Sequence, residues 1–527
     1  MNFQEPHITR YFSNFIRWSW ILGVVAFGFQ TIFFTDLTNF TCGALVLLGW
    51  KATTSSVLNF PTISRYPISS VIVLGFATSQ LYFPLLFTSI ENKSLINNLA
   101  LPLDIFIHSF AALVAILTTH FLYRLYDKRS THRLRKFLIR LDFFKAPGDN
   151  QVWMMGATGL LAMFYIHFLN PASAEDGGGG AFDKIIAGLI PFAYSPFFLP
   201  LGRLYGRVST DNKRLYSKLI LFALLLFIVS VASNIRSAFL LGFVAAGLSL
   251  CIGMLLGIYD SKIISPGKMI IAGLVAWLMI GPIADLSTAM VIARSQKSEL
   301  SRADLLSLTF KTFNDKDQLR ARQLDVKLSA SDWDEFYVDN VFLQKFANLK
   351  FNDNSLVAAD KLGTWNRPML DYSIDRVWAM LPGPVLTVLQ VEVDKETVSN
   401  ASFGDFLFYT AGANSSVLGG RRSGHLSGTG MAAFGWWYLL VLAVGLFPAF
   451  YIVDSFYNRV SGTISRGNLQ PTGVLFSLCV MISMTSFFQF LPAESPVYPF
   501  AFIIRGFVQM VFLYFLLFKL TAIISKK

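Results

Sequence analysis

The stretch LGGRRSGHLSGTGMAAFGWWYLLVLAVGLFPAF, residues 418–450, sets glycines, two adjacent arginines and a histidine directly before an apolar run. From Met431 to Phe450 no residue carries a charge. About 20 apolar residues suffice to cross a bilayer core, so this run reads as a transmembrane helix. The same signature recurs along the chain, whose 527 residues are 54% hydrophobic and only 14% charged. Such a composition excludes an ordinary soluble protein of this length. Spans are expected near 15–34, 37–51, 70–90, 101–123, 152–169, 182–202, 217–233, 236–258, 268–290, 431–454, 471–491 and 498–522. The run at 37–51 is the shortest and reads either as a full crossing or as a re-entrant segment. The first run lacks a small-residue cleavage site and reads as a retained anchor.

Basic residues orient these spans. The segment RLYDKRSTHRLRKFLIRLDFFK (124–145) holds Arg124, Lys128, Arg129, Arg133, Arg135, Lys136, Arg140 and Lys145. Smaller groups sit at Arg203, Arg207, Lys213 and Arg214, at Lys262 and Lys268, at Arg459 and Arg466, and at Lys526 and Lys527. All fall on one side of the expected spans. The positive-inside rule makes that side cytoplasmic and puts both termini there. The expected fold is therefore an all-α polytopic integral membrane protein with about twelve transmembrane helices. Its divisions are a membrane domain of nine spans (1–291), a large external loop (292–430), and a membrane domain of three spans (431–527).

The external loop carries 16 Lys and Arg against 17 Asp and Glu, so the formal charge of +12 belongs to the membrane part. It reflects topology, and nucleic-acid binding is not expected. Within the loop, DWDEFYVDNVFLQKFANLKF (332–351) spaces Trp333, Phe336, Tyr337, Phe342, Phe346 and Leu349 as an amphipathic helix would. The apolar stretch VWAMLPGPVLTVL (377–389) is broken by Pro382 and Pro384 and is expected at the membrane surface or against the spans.

Ionisable residues within spans are costly and mark functional candidates. Asp104 and His108 lie in the outer half of the fourth span at i, i+4, where they share a helix face. That spacing allows either a proton relay or a polar contact between helices. His167, Asp183, Lys184, Asp285 and Arg505 also gather toward the outer side, Arg505 well inside the last span. At the inner side Arg17, His120 and Lys519 stand at helix edges, from where such side chains snorkel. The pattern suggests a cavity that opens outward.

Arg236, in SNIRSAFLLGFVAAG (233–247), is a basic residue at the external head of a helix. Its planar fork suits a phosphate or carboxylate, and helix N-termini favour anions. Arg294 and Lys297 stand at the exit of the ninth span. The 418–430 stretch is not a nucleotide loop: it has no GK[ST] and no GxGxxG. Its external position also removes ATP as a ligand. A phosphate met there belongs to a lipid or a lipid-linked substrate, which Arg421 and Arg422 are suited to hold. His425 is the histidine of the external loop and a candidate base; the alternative is a linker with solvated charges. Cys42, Cys251 and Cys479 are scattered through apolar runs and form no disulfide or metal pattern. No metal-ligand spacing is present, and neither metal nor cofactor is expected.

This layout resembles the Wzy-type polysaccharide polymerases, relatives of the O-antigen ligases. The resemblance covers the overall architecture: ten to fourteen spans, a large external loop late in the chain, and external arginines. Locally it rests on RSAFLLGFVAAG, with Arg236, Leu240 and Gly247, and on GHLSGTGMAAFGWWYLLVLAVGLFPAF. The histidine-to-glycine spacing usual in the ligases is not reproduced around His425.

The resemblance implies a metal-independent glycosyltransferase of the bacterial inner membrane. It would move a glycan from polyprenyl diphosphate to a sugar hydroxyl on a lipid-linked repeat unit, with flippase and chain-length regulator proteins as partners. Arginines would stabilise the departing diphosphate, with Arg236, Arg294, Arg376, Arg421, Arg422 and Arg505 as candidates. His425 or an external carboxylate such as Asp339 would act as base. Two other readings stand beside it: a transporter or flippase of lipid-linked glycan, and a ligase-like transferase with a different acceptor.

Overall fold

A computed structural model describes residues 6–170, 181–207, 213–233, 238–259, 286, 289, 302–315, 333–460, 473–491 and 493–525. Arg236, Arg294, Lys297, Asp285 and nearly all of the expected ninth span lie outside the described residues. Among the described residues the regular secondary structure is helical except for one short antiparallel hairpin, Tyr457–Val460 paired with Gly473–Phe476.

Eight helices among the described residues are long and apolar enough to cross a membrane: Phe12–Phe33, Pro67–Ile90, Pro102–Asp127, Asp149–Leu169, Phe182–Tyr205, Arg214–Ala232, Leu426–Asp454 and Tyr498–Ile524. The chain is an all-α integral membrane protein. A shorter apolar helix, Phe239–Leu255, accompanies them. The stretch expected as the second span forms a continuous 20-residue helix, Leu37–Ser56, started by the Asp36 side chain, which accepts from the Thr38 and Asn39 amides. It reaches about 30 Å at 1.5 Å per residue. Its threonines, serines and Lys51 keep it out of the apolar set.

The expected eleventh span takes a different form. Residues 471–491 do not make one helix. After the hairpin strand come two short helices, Leu478–Ile482 and Met484–Phe488, broken at Ser483. Leu478, Cys479, Val480, Met481, Met484 and Phe487 are all buried. Irregular backbone at membrane depth is tolerated only where protein surrounds it, and here it does. Gly75 supplies part of that enclosure, since a Cβ there would overlap the Phe488 carbonyl.

Two buried carboxylates define the ends of the helix bundle. At one end Asp454 accepts from the amides of Ile68 (3.1 Å) and Ser69 (3.0 Å), from Ser69 Oγ (2.5 Å) and from Tyr123 OH (3.1 Å). It thereby caps the Pro67–Ile90 helix, which has no side-chain cap of its own. His120 joins this cluster through Nε2, 2.9 Å from Ser69 Oγ, and is fully buried. The expectation of a snorkelling His120 is thus corrected: Asp454, Ser69 and Tyr123 gather polar groups around it inside the bundle. Lys519 does lie at the edge, ion-paired with Asp142 at 2.6 Å.

At the other end Asp353, fully buried, accepts from the Ala100 and Leu101 amides at 2.9 Å, which starts the Pro102–Asp127 helix. Lys350 neutralises it at 2.6 Å. The 333–434 segment lies at this end.

The expected amphipathic helix over 332–351 is also modified. Helix forms only at Val341–Phe346, with a second helix starting at Lys350. The side chains of Asp334, Asn340 and Asn348 accept from the amides of Phe336, Leu343 and Lys350. Such local bonds compete with continuous helix. Trp333, Tyr337 and Leu349 are nevertheless buried. The 377–389 stretch forms the end of helix Arg367–Trp378 and a separate helix, Gly383–Leu389, on which Val388 is 82% exposed.

Candidate functional site

The glycines of the 418–430 stretch serve close packing. Helix Leu426–Phe434 lies against helix Lys350–Leu362, and a Cβ on Gly428 would overlap the Ser355 backbone. Gly424 and Gly404 abut in the same way, since a Cβ on Gly404 would overlap the Arg422 carbonyl. Absence of a side chain is what allows such approach.

The two arginines of this stretch are drawn into that packing by Asp405, which is fully buried on helix Phe403–Thr410. Asp405 accepts from the Arg421 amide at 2.7 Å and the Arg422 amide at 3.1 Å. The Arg422 guanidinium pairs with Asp405 at 3.2 Å, donates to the Val417 carbonyl at 2.9 Å and lies 5.5 Å from the Phe408 ring centroid. The sequence-level picture of two arginines gripping a diphosphate together is therefore not what the geometry provides. Arg422 is committed to an internal carboxylate, while the exposed Arg421 takes a positive φ of 58°.

His425 is the N-cap of helix Leu426–Phe434 and is 2% exposed. Its amide donates to Ser355 Oγ at 3.0 Å, and its Nδ1 accepts from the Ser427 amide at 3.3 Å. Nε2 is buried with no hydrogen-bond partner among the described residues. Burial and the neighbouring His108 imidazole push the His425 ring down to about 3, so it is held neutral.

His108 bonds through Nδ1 to Tyr438 OH at 3.0 Å and stacks on Trp436 at 4.4 Å. Asp104 is exposed one turn away, and no hydrogen bond joins it to His108. The i, i+4 pair thus separates into an exposed carboxylate and a histidine shared with the 436–438 turn. Asp339 pairs with Lys93 at 2.8 Å, beside Glu91.

The other two candidate arginines among the described residues lie elsewhere. Arg376, on helix Arg367–Trp378, and Arg505, in a π-helical turn Phe502–Gly506, line one cavity of about 500 Å³. Arg376 donates to the carbonyls of Val398 and Ala401 and lies over the Phe403 ring. Arg505 forms no ion pair or hydrogen bond with the described residues. π-turns inside α-helices recur at functional sites, and Phe502, Arg505 and Gly506 of this one line the cavity.

Glu494 lines the same cavity, and nothing in its own neighbourhood in the sequence marks it. Burial raises its carboxyl above the ordinary range; the Phe403 amide and Arg376 oppose that rise, and Asp405 adds to it. A second cavity of about 540 Å³ adjoins the first through Gln489, Phe490, Tyr498, Phe502, Gly506 and Gln509. It continues along mostly apolar residues, among them Ile190, Tyr194, Leu241, Ile482 and Met510. Together they form a groove with two guanidinium groups at one end and an apolar lining at the other.

Among the described residues no group of three His, Cys, Asp or Glu side chains is placed to hold a metal ion. Comparison with protein families, with curated proteins and with solved structures gives no match to this chain.

Proposed function

We propose that this protein is a membrane glycosyltransferase of the polysaccharide-polymerase type, acting on polyprenyl-diphosphate-linked oligosaccharide at the external face of the bacterial inner membrane. In this reading the chain makes about twelve crossings, with both termini cytoplasmic. One observation carries it. Arg376 and Arg505 converge on a cavity that runs on into an apolar groove. A lipid-linked diphosphate has the same two-part character: a dianionic group joined to a long hydrocarbon. Paired guanidinium groups bind phosphate through charge-assisted bonds and stabilise the charge that grows on a departing diphosphate. The glycan's anomeric carbon leaves the diphosphate oxygen and bonds to a sugar hydroxyl of the acceptor, so the energy resides in the donor and no nucleotide is required. Arg236 and Arg294, beyond the described residues, stay in this proposal as further diphosphate contacts.

The test is reconstitution. Purified protein in liposomes, supplied with lipid-linked repeat units and no nucleotide, is expected to produce a ladder of longer lipid-linked glycans on a gel. Movement of the units between leaflets without elongation would replace this reading by that of a flippase. Transfer to a different lipid acceptor would replace it by that of a ligase.

A further inference from the structure

Among the described residues that line the cavity of Arg376 and Arg505, one is a carboxylate, Glu494. Glu494 sits on the connection between the broken 478–488 segment and the last helix. Its backbone is tied to the glycine-rich stretch: Thr429 Oγ1 donates to the Glu494 carbonyl at 2.8 Å, and the Leu426 amide donates to the neighbouring Ala493 carbonyl at 2.9 Å. Oε2 accepts from the Phe403 amide at 3.3 Å. Oε1 has no hydrogen-bond partner among the described residues, and the side chain belongs to the cavity lining. One oxygen is therefore anchored and the other remains to accept a proton.

Resting on the transferase reading of this cavity, we infer that Glu494 is its general base, taking the proton of the acceptor sugar hydroxyl as that oxygen bonds to the donor's anomeric carbon. The balance is simple. The acceptor O–H bond breaks and its proton passes to Glu494. The new C–O bond forms, and the old bond to the diphosphate breaks with its electron pair on the leaving oxygen. The two arginines hold that oxygen's charge, and Glu494 returns its proton to solvent after each turn.

The charged and titratable groups around Glu494 suit this role. Arg376 comes from helix Arg367–Trp378, Arg505 from the last helix, Asp405 from helix Phe403–Thr410, and Tyr372 and Tyr498 flank it. A base works best when its proton affinity approaches the working pH, and burial moves Glu494 in that direction. His425 lines neither cavity, and its one free ring nitrogen is enclosed.

The inference also gives the GHLSGTG stretch a task. It positions the 493–494 backbone, with Leu426 and Thr429 as the residues that do so.

The experiment compares wild type with Glu494→Gln and Glu494→Asp in liposomes, reading both elongation and binding of a polyprenyl-diphosphate disaccharide. Glu494→Gln is expected to lower kcat by about 10²–10⁴-fold with KM for the donor nearly unchanged. Glu494→Asp is expected to retain part of the activity. The wild-type rate is expected to fall on the acid side through a single ionisation, which Glu494→Gln removes from the residual rate.

Elongation by Glu494→Gln at the wild-type kcat would overturn the assignment and leave the transferase reading intact. Donor binding without elongation by wild type would overturn the transferase reading itself. Should the Gln variant not assemble, the wild-type profile and Glu494→Asp decide: a flat acid side, or an Asp variant equal to wild type in kcat and profile, overturns the inference.

Discussion

Gly428 and Ser355 face each other backbone to backbone, with no room between them for a Cβ. This contact joins helix Leu426–Phe434, the first part of the Leu426–Asp454 span, to the Lys350–Leu362 helix. The His425 amide bonds Ser355 Oγ one turn earlier, at 3.0 Å, so the join is both steric and polar. Substitution Gly428→Ala is expected to destabilise the protein by about 1–3 kcal/mol, as overpacking does. Thermal unfolding in detergent measures it. The exposed Gly383→Ala, where a Cβ meets open space, serves as the comparison and is expected to change little.

Asp353 caps a helix to which it does not belong while pairing with Lys350, both residues being buried. Removing one partner of a buried pair leaves the other charge uncompensated, at a cost of about 3–5 kcal/mol. Asp353→Ala is expected to fall in that range. Asp371→Ala removes an exposed i, i+4 partner of Arg367 and is expected to cost no more than about 0.5 kcal/mol. Equal losses in unfolding experiments would show that Asp353 is not the helix cap described here.

His425 supplies a pH dependence of known sign. Its folded value is depressed to about 3 from an unfolded value of 6.5. The unfolded chain therefore binds a proton in that window that the native ring refuses. Stability from this group is complete above 6.5 and declines as pH falls toward 3. His425→Asn retains an N-cap acceptor but does not titrate. Stability measured against pH is expected to fall less steeply below 6.5 in this variant than in wild type. Parallel curves would mean that the ring is already charged in the native state.

The arginines divide by what they touch. Arg505 has no ion pair or hydrogen bond among the described residues and lines the cavity, whereas Arg422 is bound to Asp405 and Val417. Arg505→Ala is expected to weaken binding of the lipid-linked diphosphate by tenfold or more, consistent with the roughly 1.5–3 kcal/mol of a hydrogen bond to a charged group, with little change in stability. Arg422→Ala is expected to do the reverse, lowering stability because Asp405 is left buried and unpaired. Binding and unfolding assays on the same two preparations separate the effects.

Much of the membrane architecture is legible in local sequence. Uncharged runs such as 431–450 announce their helices by length, and Pro102–Asp127 and Asp149–Leu169 do the same. The 478–488 segment is as apolar as they are yet breaks at Ser483. Its surroundings are protein, and hydropathy does not distinguish a lipid neighbour from a protein neighbour. The 333–340 stretch has helical spacing of large residues, but Asp334 takes the Phe336 amide and Glu91 takes the Asp339 and Asn340 amides.

The candidate site was less legible. Arg376 and Arg505 were visible as residue types, but Arg422 and His425 looked equally suitable from the adjacent glycines. Glu494 carried no local signal.

The sequence by itself determined that this chain is a helical membrane protein whose basic residues are segregated in its loops, because span length and loop charge are properties of continuous segments. Only the tertiary structure decided which charges meet. Asp405 drew Arg422 inward, the Gly428 contact enclosed His425, and the turn at Phe502–Gly506 brought Arg505 to the cavity of Arg376 and Glu494. Each of those outcomes depends on which distant helix packs alongside, and a short reach between side chains is set by that packing alone.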